Sequence, residues 1–406
     1  MDRIYTLFLN ILKSALQAQT YTDTDNITQE QWTQIFSLSQ SHNVLPLIYQ
    51  AVYNCPALSG SMALRSKVRQ LVMLQTVKTT EFLQLYSKLK EADCTPLVVK
   101  GYVCRSLYPQ PDLRLSTDED MLIPQDKFEK CVQIIKEFGL DTETPAERFT
   151  TEYEIPFRKT GSPLYIELHK TLFPPDSQAY GNWNSFFTDV FDNAVMVDGI
   201  MTLNHTDHLF YLICHAFKHF IHSGFGIRQV CDIVIYANAY GAQIDWQKVF
   251  DNCKVINADV FAATLFRIGE KYLIFDKEKA NYPAGWSSCS QDETNMLADM
   301  LSGGVFGGST MSRRHSSNVT LDAVVTDKKG KKAGKSLKGT LFPPAEKLQS
   351  RYTYLEKKPY LLPKAWASRA MTYAKELRSS KGNSAIDSLK IAGSRVDLLK
   401  EYKIIK

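Results

Sequence analysis

The segment from Pro96 to Pro124 constrains the fold more than any other part of the 406-residue chain. It begins with a short apolar run, continues through Lys100-Gly101, and ends with an acidic triplet at 118–120 that leads into Met-Leu-Ile. The apolar run predicts a buried strand, and the Lys-Gly pair predicts the turn into a helix. Side chains alternate between the two faces of a strand, so a strand through the triplet places Asp118 and Asp120 on the same side.

Two carboxylates on one side of a strand repel each other unless a cation lies between them. Carboxylate oxygens are the ligands that Mg²⁺ prefers when it holds nucleotide phosphates. A lone Asp-x-Asp is common in surface turns, so the pair alone is a weak signal. Glu167 and His169 form the polar face of a later predicted strand, and a third carboxylate there would complete a two-metal site. The alternative for Glu167 is an ordinary solvent-facing residue on an edge strand.

Composition excludes several classes of protein. The apolar and charged fractions, 44% and 22%, are those of an ordinary soluble globular chain, and a net charge of +5 does not indicate nucleic-acid binding. The 8 cysteines show no Cys-x-x-Cys pair, which favours buried thiols in a reducing compartment. The apolar stretch at residues 4–12 is too short to span a bilayer and lacks a signal-peptide pattern. We therefore expect a cytoplasmic protein without a membrane partner.

Hydrophobic periodicity divides the chain into segments. It predicts a helical scaffold over residues 1–92, a mixed α/β core over 93–203 and a helical domain over 204–300. Residues 301–340 are rich in Gly, Ser and Lys and are interpreted as a flexible basic insertion. Residues 341–406 are interpreted as a Pro-rich segment with a terminal helix that runs through Trp366 and Met371, after which the final thirty residues are polar and weakly patterned.

Within these segments the individual elements are predicted as follows. A capping box at Thr28 to Gln31 opens a helix, and a further helix is expected over 125–138. Strands are expected over 149–158 and 163–168, and a small hairpin over 195–203. Four later helices are predicted over 205–222, 227–240, 245–253 and 258–272.

The order of these motifs resembles a known family. A strand, Lys-Gly, helix, Tyr-Pro, Arg, Asp-x-Asp and a later Ile-Glu-x-His strand are similar to the uncharacterised nucleotidyltransferase family of the DNA polymerase beta superfamily. The resemblance covers Leu97 to about Tyr240. It is weaker in the LFPP…RY…LLP ending at 341–363. The residues that carry it are Lys100, Gly101, Tyr108, Arg114, Asp118, Asp120, Glu167, His169, His215, His219, Arg228 and Asp232.

The resemblance implies an α+β fold, with a polymerase beta-like core of a small mixed sheet and helices flanked by N- and C-terminal helical regions. In this reading residues 93–203 are the catalytic core. Asp118 and Asp120 would bind two Mg²⁺ ions, with Mn²⁺ as the alternative, and Glu167 would complete the catalytic triad. The reaction would move a nucleoside monophosphate from an NTP to an acceptor that the sequence does not identify: a small molecule or sugar, a protein side chain or an RNA end.

The resemblance also implies a nucleotide-binding set. Gly101, at a helix N-terminus, would let backbone N–H groups approach phosphate oxygens. Lys100 and Arg114 would neutralise phosphate charge. The nucleotide-binding residues expected in addition are His169, His215, Lys218 and His219.

The histidines of the predicted helix 205–222 admit three interpretations. His215, His219 and His222 share one face and could bind zinc with an outside ligand. With Lys218 beside them they could instead contact phosphate or acceptor. They could also line a contact between domains.

Two positions depart from the superfamily pattern. Lys100-Gly101 stands where Gly-Ser or Gly-Gly is usual. Glu119 points toward the side that should be core, and if buried it needs a cationic partner. These departures support an alternative function, a non-catalytic nucleotide- or RNA-binding protein that retains the fold. The glycine spacing after residue 330 does not match a P-loop, so the lysines of 328–338 are interpreted as a solvated loop, with weak electrostatic attraction for RNA or an anionic acceptor as the alternative.

Overall fold

The computed structural model describes most of the chain. The described residues are 2–304, 311–328, 354–368 and 385–406, with the single residues 330, 345, 348, 352 and 371. The lysines of the predicted basic loop after Lys328 and the LFPP residues lie outside them.

Four helices form the N-terminal part: α1 (Arg3–Leu16), α2 (Gln29–Ser41), α3 (Leu45–Val52) and α4 (Met62–Glu91). The predicted capping box is confirmed. Thr28 accepts the Gln31 N–H at 3.2 Å, and the Gln31 side chain accepts the Thr28 N–H at 3.0 Å. This satisfies two of the donors that a helix start leaves free. The buried face of helix α4 packs against the chain just before the acidic triplet. This contact holds the start of the acidic strand in place.

A small mixed sheet follows, as predicted for an α+β fold. Its strands are β1 (Leu97–Val99), β2 (Glu119–Leu122), β3 (Glu154–Arg158) and β4 (Tyr165–His169), in the order β1-β2-β4-β3. Strand β2 is antiparallel to β1 and parallel to β4, and β3 is antiparallel to β4. Helices α5 (Gly101–Arg105) and α6 (Phe128–Glu137) lie in the connections. A separate hairpin pairs β5 (Val195–Val197) with β6 (Ile200–Thr202).

The C-terminal part is helical. Its elements are α7 (His205–His222), α8 (Ile227–Tyr240), α9 (Trp246–Val255), α10 (Asp259–Tyr272), α11 (Ala284–Ser287), α12 (Thr294–Gly303), α13 (Met311–Lys328), α14 (Tyr354–Lys357) and α15 (Ala385–Glu401). Short 3₁₀ helices lie at Pro56–Leu58, Pro111–Leu113, Gln125–Lys127, Ala146–Arg148, Trp183–Phe186, Gly241–Gln243 and Pro359–Leu361. The predicted helices over 205–222, 227–240, 245–253 and 258–272 are confirmed within two residues at each end.

Three predictions of local structure differ from the structure. Residues 149–153 are turns rather than strand, and β3 begins only at Glu154. The helix expected from Gln125 opens as a 3₁₀ turn and becomes an α-helix at Phe128. The final thirty residues, expected to be weakly patterned, contain helix α15.

The expected flexible insertion also differs, because Met311–Lys328 forms α13. This helix packs on α15 and α7. It buries small residues such as Ser316, Thr320 and Ala323, at 1%, 0% and 5% exposure, rather than a stripe of large apolar ones. Ser316 and Thr320 satisfy their hydroxyls by donating to the carbonyls of Arg313 and Ser316 at 2.7 and 3.1 Å. Small and polar residues on the buried face differ little in hydrophobicity from those on the exposed face, so the sequence shows no amphipathic pattern there.

The core is continuous across the predicted segments. One apolar cluster joins Phe8 of α1, Leu168 of β4 and Leu399 of α15. Buried ion pairs attach the C-terminal helices, since Asp299 of α12 contacts both Arg313 and Arg395. The division at residues 92, 203, 300 and 340 stays a prediction. All eight cysteines are free thiols, as expected, and no described helix combines the length and apolarity needed to cross a bilayer.

Buried His42 gives a prediction for the pH dependence of stability. Its Nε2 donates to the Leu301 carbonyl at 3.1 Å, and burial lowers its pKa from 6.5 to about 4. Between those pH values the unfolded chain binds a proton that the folded chain excludes, so acidification destabilises the fold. We expect the free energy of unfolding of the native protein to fall by about 2 kcal/mol more between pH 7.5 and pH 5 than that of His42→Gln.

Chemical denaturation at the two pH values measures this difference. Glutamine can keep the hydrogen bond to Leu301 but does not titrate, so the other buried histidines contribute equally to both proteins. Parallel pH profiles for the two proteins would contradict the assignment.

Candidate active site

A cavity of about 450 Å³ lies between the four-stranded sheet and helices α7 and α8. The residues that line it are Lys100, Gly101, Arg114, Thr117, Asp118, Glu154, Tyr165, Glu167, Leu212, His215, Lys218, His219, Arg228, Gln229 and Asp232.

The sheet wall of the cavity carries carboxylates. Parallel pairing of β2 with β4 sets Asp120 directly opposite Glu167, so their side chains share one face. Asp118 precedes β2 and lines the cavity with a side chain that is 23% exposed. Burial raises the pKa of Glu167, and the nearby Asp120 and Asp118 raise it further. Glu167 therefore accepts a proton more readily than an ordinary glutamate does.

Asp120 is the most buried of the three carboxylates, at 1% exposure, and both of its oxygens contact a basic group. Oδ1 lies 3.1 Å from His169 Nε2, and Oδ2 lies 2.9 Å from Lys100 Nζ. Burial alone would raise the pKa of Asp120, but the charges of Lys100 and His169 hold it well below its usual range. Asp120 is therefore a carboxylate whose charge is balanced inside the protein.

Lys100 places its ammonium group at the centre of the site. Nζ is 2.9 Å from Asp120 Oδ2, 3.9 Å from Asp118 Oδ1 and 3.2 Å from His215 Nε2. Burial lowers the pKa of Lys100, but the carboxylates of Asp118 and Asp120 raise it to well above the ordinary value. The ammonium group therefore stays charged between them.

The turn at Lys100 is anchored from helix α7. The Lys100 N–H donates to His208 Nε2 at 3.1 Å, and His208 Nδ1 lies 3.2 Å from Thr202 Oγ1. Thr202 in turn donates to the Val98 carbonyl of β1 at 2.6 Å. Burial lowers the pKa of His208 to about 3, so it remains a neutral acceptor. This relay joins β1, β6 and α7 behind the turn.

Glu119 lies on the opposite face of β2 and is fully buried, at 0% exposure. The expectation that it needs a cationic partner is confirmed, since Oε1 is 2.9 Å from Arg105 Nη2. Ser116 Oγ donates to Oε1 at 2.9 Å, and the Tyr102 N–H donates to Oε2 at 2.8 Å. Glu119 thus supports the strand from behind and does not enter the cavity.

This arrangement corrects the expected role of Gly101. The Tyr102 N–H at the start of α5 is taken by the Glu119 carboxylate rather than left for phosphate. A Cβ on Gly101 would lie 2.2 Å from Glu119 Oε2. Gly101 lines the cavity, but its missing side chain makes room for an internal carboxylate.

His169 also differs from its expected nucleotide-binding position. It is 4% exposed, contacts Asp120 and, like Asp120, is not among the residues that line the cavity. Burial lowers the pKa of His169, but Asp120 and Glu167 raise it to about 9. Among the described residues, ligand atoms of Asp120, Glu167 and His169 come within 4.8 Å of one another. The predicted metal set named Asp118 in place of His169.

Helix α7 forms the facing wall with His215, Lys218 and His219. The two imidazole rings are 4.7 Å apart. Burial lowers the pKa of His215 to well below its ordinary value and that of His219 to about 3. Both rings are therefore neutral, and Lys218 carries the charge of this helix wall. In the described part of the chain, the metal-competent group lies on the sheet and includes none of the α7 histidines.

Arg114 lines the cavity but is already paired. Its Nε and Nη2 lie 3.0 and 2.6 Å from the two oxygens of Asp232, which also accepts from Tyr108 at 2.8 Å. Arg114 therefore fixes the loop before β2 to α8. Arg228, one helical turn before Asp232, is a second cavity guanidinium that donates to the Leu115 carbonyl.

Sequence reasoning missed one supporting cation. Lys78 of α4 is 6% exposed and donates to the carbonyls of Ser116 and Thr117 at 2.6 and 2.8 Å. Burial lowers its pKa to about 8. Its spacing from Phe82, four residues later on the same helix face, was the available signal, because a charge on a buried face must find a partner there.

Comparison with known protein families identifies a match. The model of the family described as uncharacterised nucleotidyltransferase matches residues 28–273, more than half of the chain, and this span contains every residue that lines the cavity. No curated protein and no solved structure matches the chain.

Gly101 provides a test of the packing behind the site. In Gly101→Ala the new methyl group meets Glu119 Oε2, which cannot move away without breaking its bonds to Arg105 and Tyr102. We expect a loss of about 1–3 kcal/mol in the free energy of unfolding. Denaturant titration measures it.

Gly393→Ala is the matched control, because Gly393 lies inside α15 with nothing within 4 Å of the new methyl group. It should be neutral or stabilising by about 0.5–1 kcal/mol. Equal changes in the free energy of unfolding for the two variants would show that the close approach of Glu119 does not require a glycine at position 101.

Proposed function

The chain belongs to the uncharacterised nucleotidyltransferase family, and we propose that it transfers a nucleoside monophosphate from an NTP to an acceptor hydroxyl or phosphate. The observation that carries the proposal is the charge arrangement of the cavity. Asp118 and Glu167 line the sheet side, and Lys218 and Arg228 line the helix side. A metal-bound triphosphate presents both signs of charge and therefore complements both walls.

The carboxylates suit a hard divalent cation such as Mg²⁺ or Mn²⁺. Asp118 and Asp120 offer oxygens to the same position, where they already surround the Lys100 ammonium group. Glu167 faces Asp120 across the paired strands. We propose that these three residues hold the ions, with His169 orienting Asp120 from behind. Bound there, such ions neutralise phosphate charge and make the α-phosphorus more electrophilic.

The chain's own residues would then serve three roles. Lys218 and Arg228 bind the β- and γ-phosphates, and neutral His215 and His219 donate or accept hydrogen bonds beside them. Glu167 takes the proton of the acceptor hydroxyl, which suits its raised pKa. The acceptor oxygen forms a bond to the α-phosphorus while the bond to the bridging oxygen breaks and pyrophosphate leaves.

In this proposal the catalytic unit needs more than the predicted core over residues 93–203. Lys218 and Arg228 come from helices α7 and α8 of the predicted domain over 204–300. The site therefore lies between the two segments. The acceptor could be a small molecule or sugar, a protein or an RNA end.

One observation favours the alternative of a non-catalytic nucleotide- or RNA-binding protein. Lys100 fills the space between the aspartates with its own positive charge. Glu119, the other unusual residue of the motif, gives no such support, because Arg105 balances it on the far side of the strand.

Calorimetry and transfer assays separate the two functions. In Asp118→Asn and Asp120→Asn, loss of the cation-binding charge should weaken Mg²⁺-dependent NTP binding and lower the transfer rate by at least about 100-fold. Binding is measured by titration with each NTP, and transfer by incorporation of label from the α-phosphate into cell-extract acceptors.

Asp126→Asn is the control, since Asp126 is exposed on the surface and lies away from the cavity. It should keep binding and transfer unchanged. NTP binding that needs no metal and survives both Asp118→Asn and Asp120→Asn would favour the non-catalytic alternative.

Lys218→Gln tests the helix wall. Removing the ammonium group should weaken NTP binding by about 10-fold, and the loss should shrink at high salt because the contact is electrostatic. Fluorescent NTP titrations at low and high ionic strength measure it. Lys90→Gln, at an exposed position of α4, should leave affinity unaltered. Equal NTP affinities for Lys218→Gln and Lys90→Gln would show that Lys218 does not bind phosphate.

A further inference from the structure

Lys100 combines a strained backbone with a buried ammonium group. Its φ of 46° and ψ of −108° belong to a region that glycine adopts easily and residues with a Cβ avoid. The conformation is held by His208, which accepts the Lys100 N–H at 3.1 Å. Glycine would fit this turn without strain, so a lysine here indicates a role for the side chain.

The ammonium group occupies a position whose neighbours are metal-ligand types. Asp120 Oδ2, Asp118 Oδ1 and His215 Nε2 lie 2.9, 3.9 and 3.2 Å from Nζ. The other oxygen of Asp120 is engaged by His169, which does not line the cavity. A cation that reaches Asp120 from the cavity therefore meets Lys100 first.

The remaining cavity charges distinguish a bare metal ion from a metal–nucleotide. Lys218 and Arg228 line the same cavity as Lys100. Their positive charges repel a divalent cation that arrives alone, and they attract one that arrives with a polyphosphate. Lys100 has a flexible stem of four carbons, so its ammonium group can move to a phosphate oxygen when the cation takes its position.

We propose that Lys100 is a placeholder cation. Its ammonium group balances Asp118 and Asp120 in the nucleotide-free protein and moves to the phosphates when a metal-bound nucleoside triphosphate enters. Metal and nucleotide then bind together rather than metal first. The second half of this inference rests on the proposed function, whereas the first concerns the free protein alone.

The test measures Mn²⁺ affinity without nucleotide, by electron paramagnetic resonance of the free ion. Lys100→Gly removes the ammonium group and suits the backbone of the turn, and Lys100→Met removes the charge but keeps the stem. We expect both variants to bind Mn²⁺ at least 10-fold more tightly than the native protein. Lys100→Arg, which retains the charge, should bind it as weakly as the native protein does.

Two further measurements assign the effect to this position. Asp120→Asn combined with Lys100→Gly should lose the gain in Mn²⁺ affinity. Because Lys100→Gly leaves the aspartates unbalanced, Mn²⁺ should raise its melting temperature more than that of the native protein. In addition, a non-hydrolysable NTP should increase the Mn²⁺ affinity of the native protein more than that of Lys100→Gly.

Equal Mn²⁺ affinity for the native protein and both neutral variants, or no binding by any of them, would overturn the placeholder role. If the native protein transfers nucleotide while the Lys100 variants gain no affinity, this inference fails and the proposed function stands. If the variants gain affinity but the native protein neither binds nor transfers an NTP, the placeholder role stands and the proposed function fails.

Discussion

The buried charge of Asp120 is the constraint on which the rest of the site depends. A carboxylate at 1% exposure must be balanced within the protein, and each of its oxygens contacts a basic side chain, His169 or Lys100. Parallel pairing of β4 with β2 brings His169, two residues after Glu167 on the adjacent strand, within 3.1 Å of Asp120. The turn at Lys100 must also be anchored by His208 of α7. One charge thus joins the sheet to the helical wall.

The neighbouring residue sets a second constraint on the other face of the strand. Because side chains alternate, buried Glu119 cannot share the cations of Asp120 and needs its own. Helix α5 supplies both partners from its two ends, Lys100 before its first residue and Arg105 as its last. A helix of only five residues therefore balances two buried acids on opposite sides of one strand. This explains why an acidic residue is tolerated where the pattern predicts an apolar one.

Sequence periodicity predicts β4, α7 and α8, because each is local and strongly patterned, but it begins β3 at residue 149 rather than at Glu154. It also predicts that Glu167 and His169 share a face. It could not predict that His169 lies behind Asp120, because that depends on which strand β4 pairs with. For the same reason the sequence could not predict that Arg114 pairs with Asp232, because the two residues are 118 positions apart and meet only in the folded protein. Helix α13 was not predicted for a different reason, since its buried residues mix small polar ones such as Ser316 and Thr320 with Ala323, and the two hydroxyls donate to carbonyls of the same helix.

The charges on the two walls of the cavity are opposite, and together they specify what kind of ligand fits. The carboxylates of the sheet would repel a bare triphosphate, and Lys218 and Arg228 would repel a bare divalent cation. Burial keeps His215 and His219 neutral, so α7 adds hydrogen-bonding groups without adding further positive charge. A ligand that carries both a divalent cation and several phosphate charges is complementary to both walls at once. This complementarity supports the proposal of a metal-bound nucleotide over either component alone, and the proposed placeholder role of Lys100 follows from the same charges, because its ammonium group lies between Asp118 and Asp120.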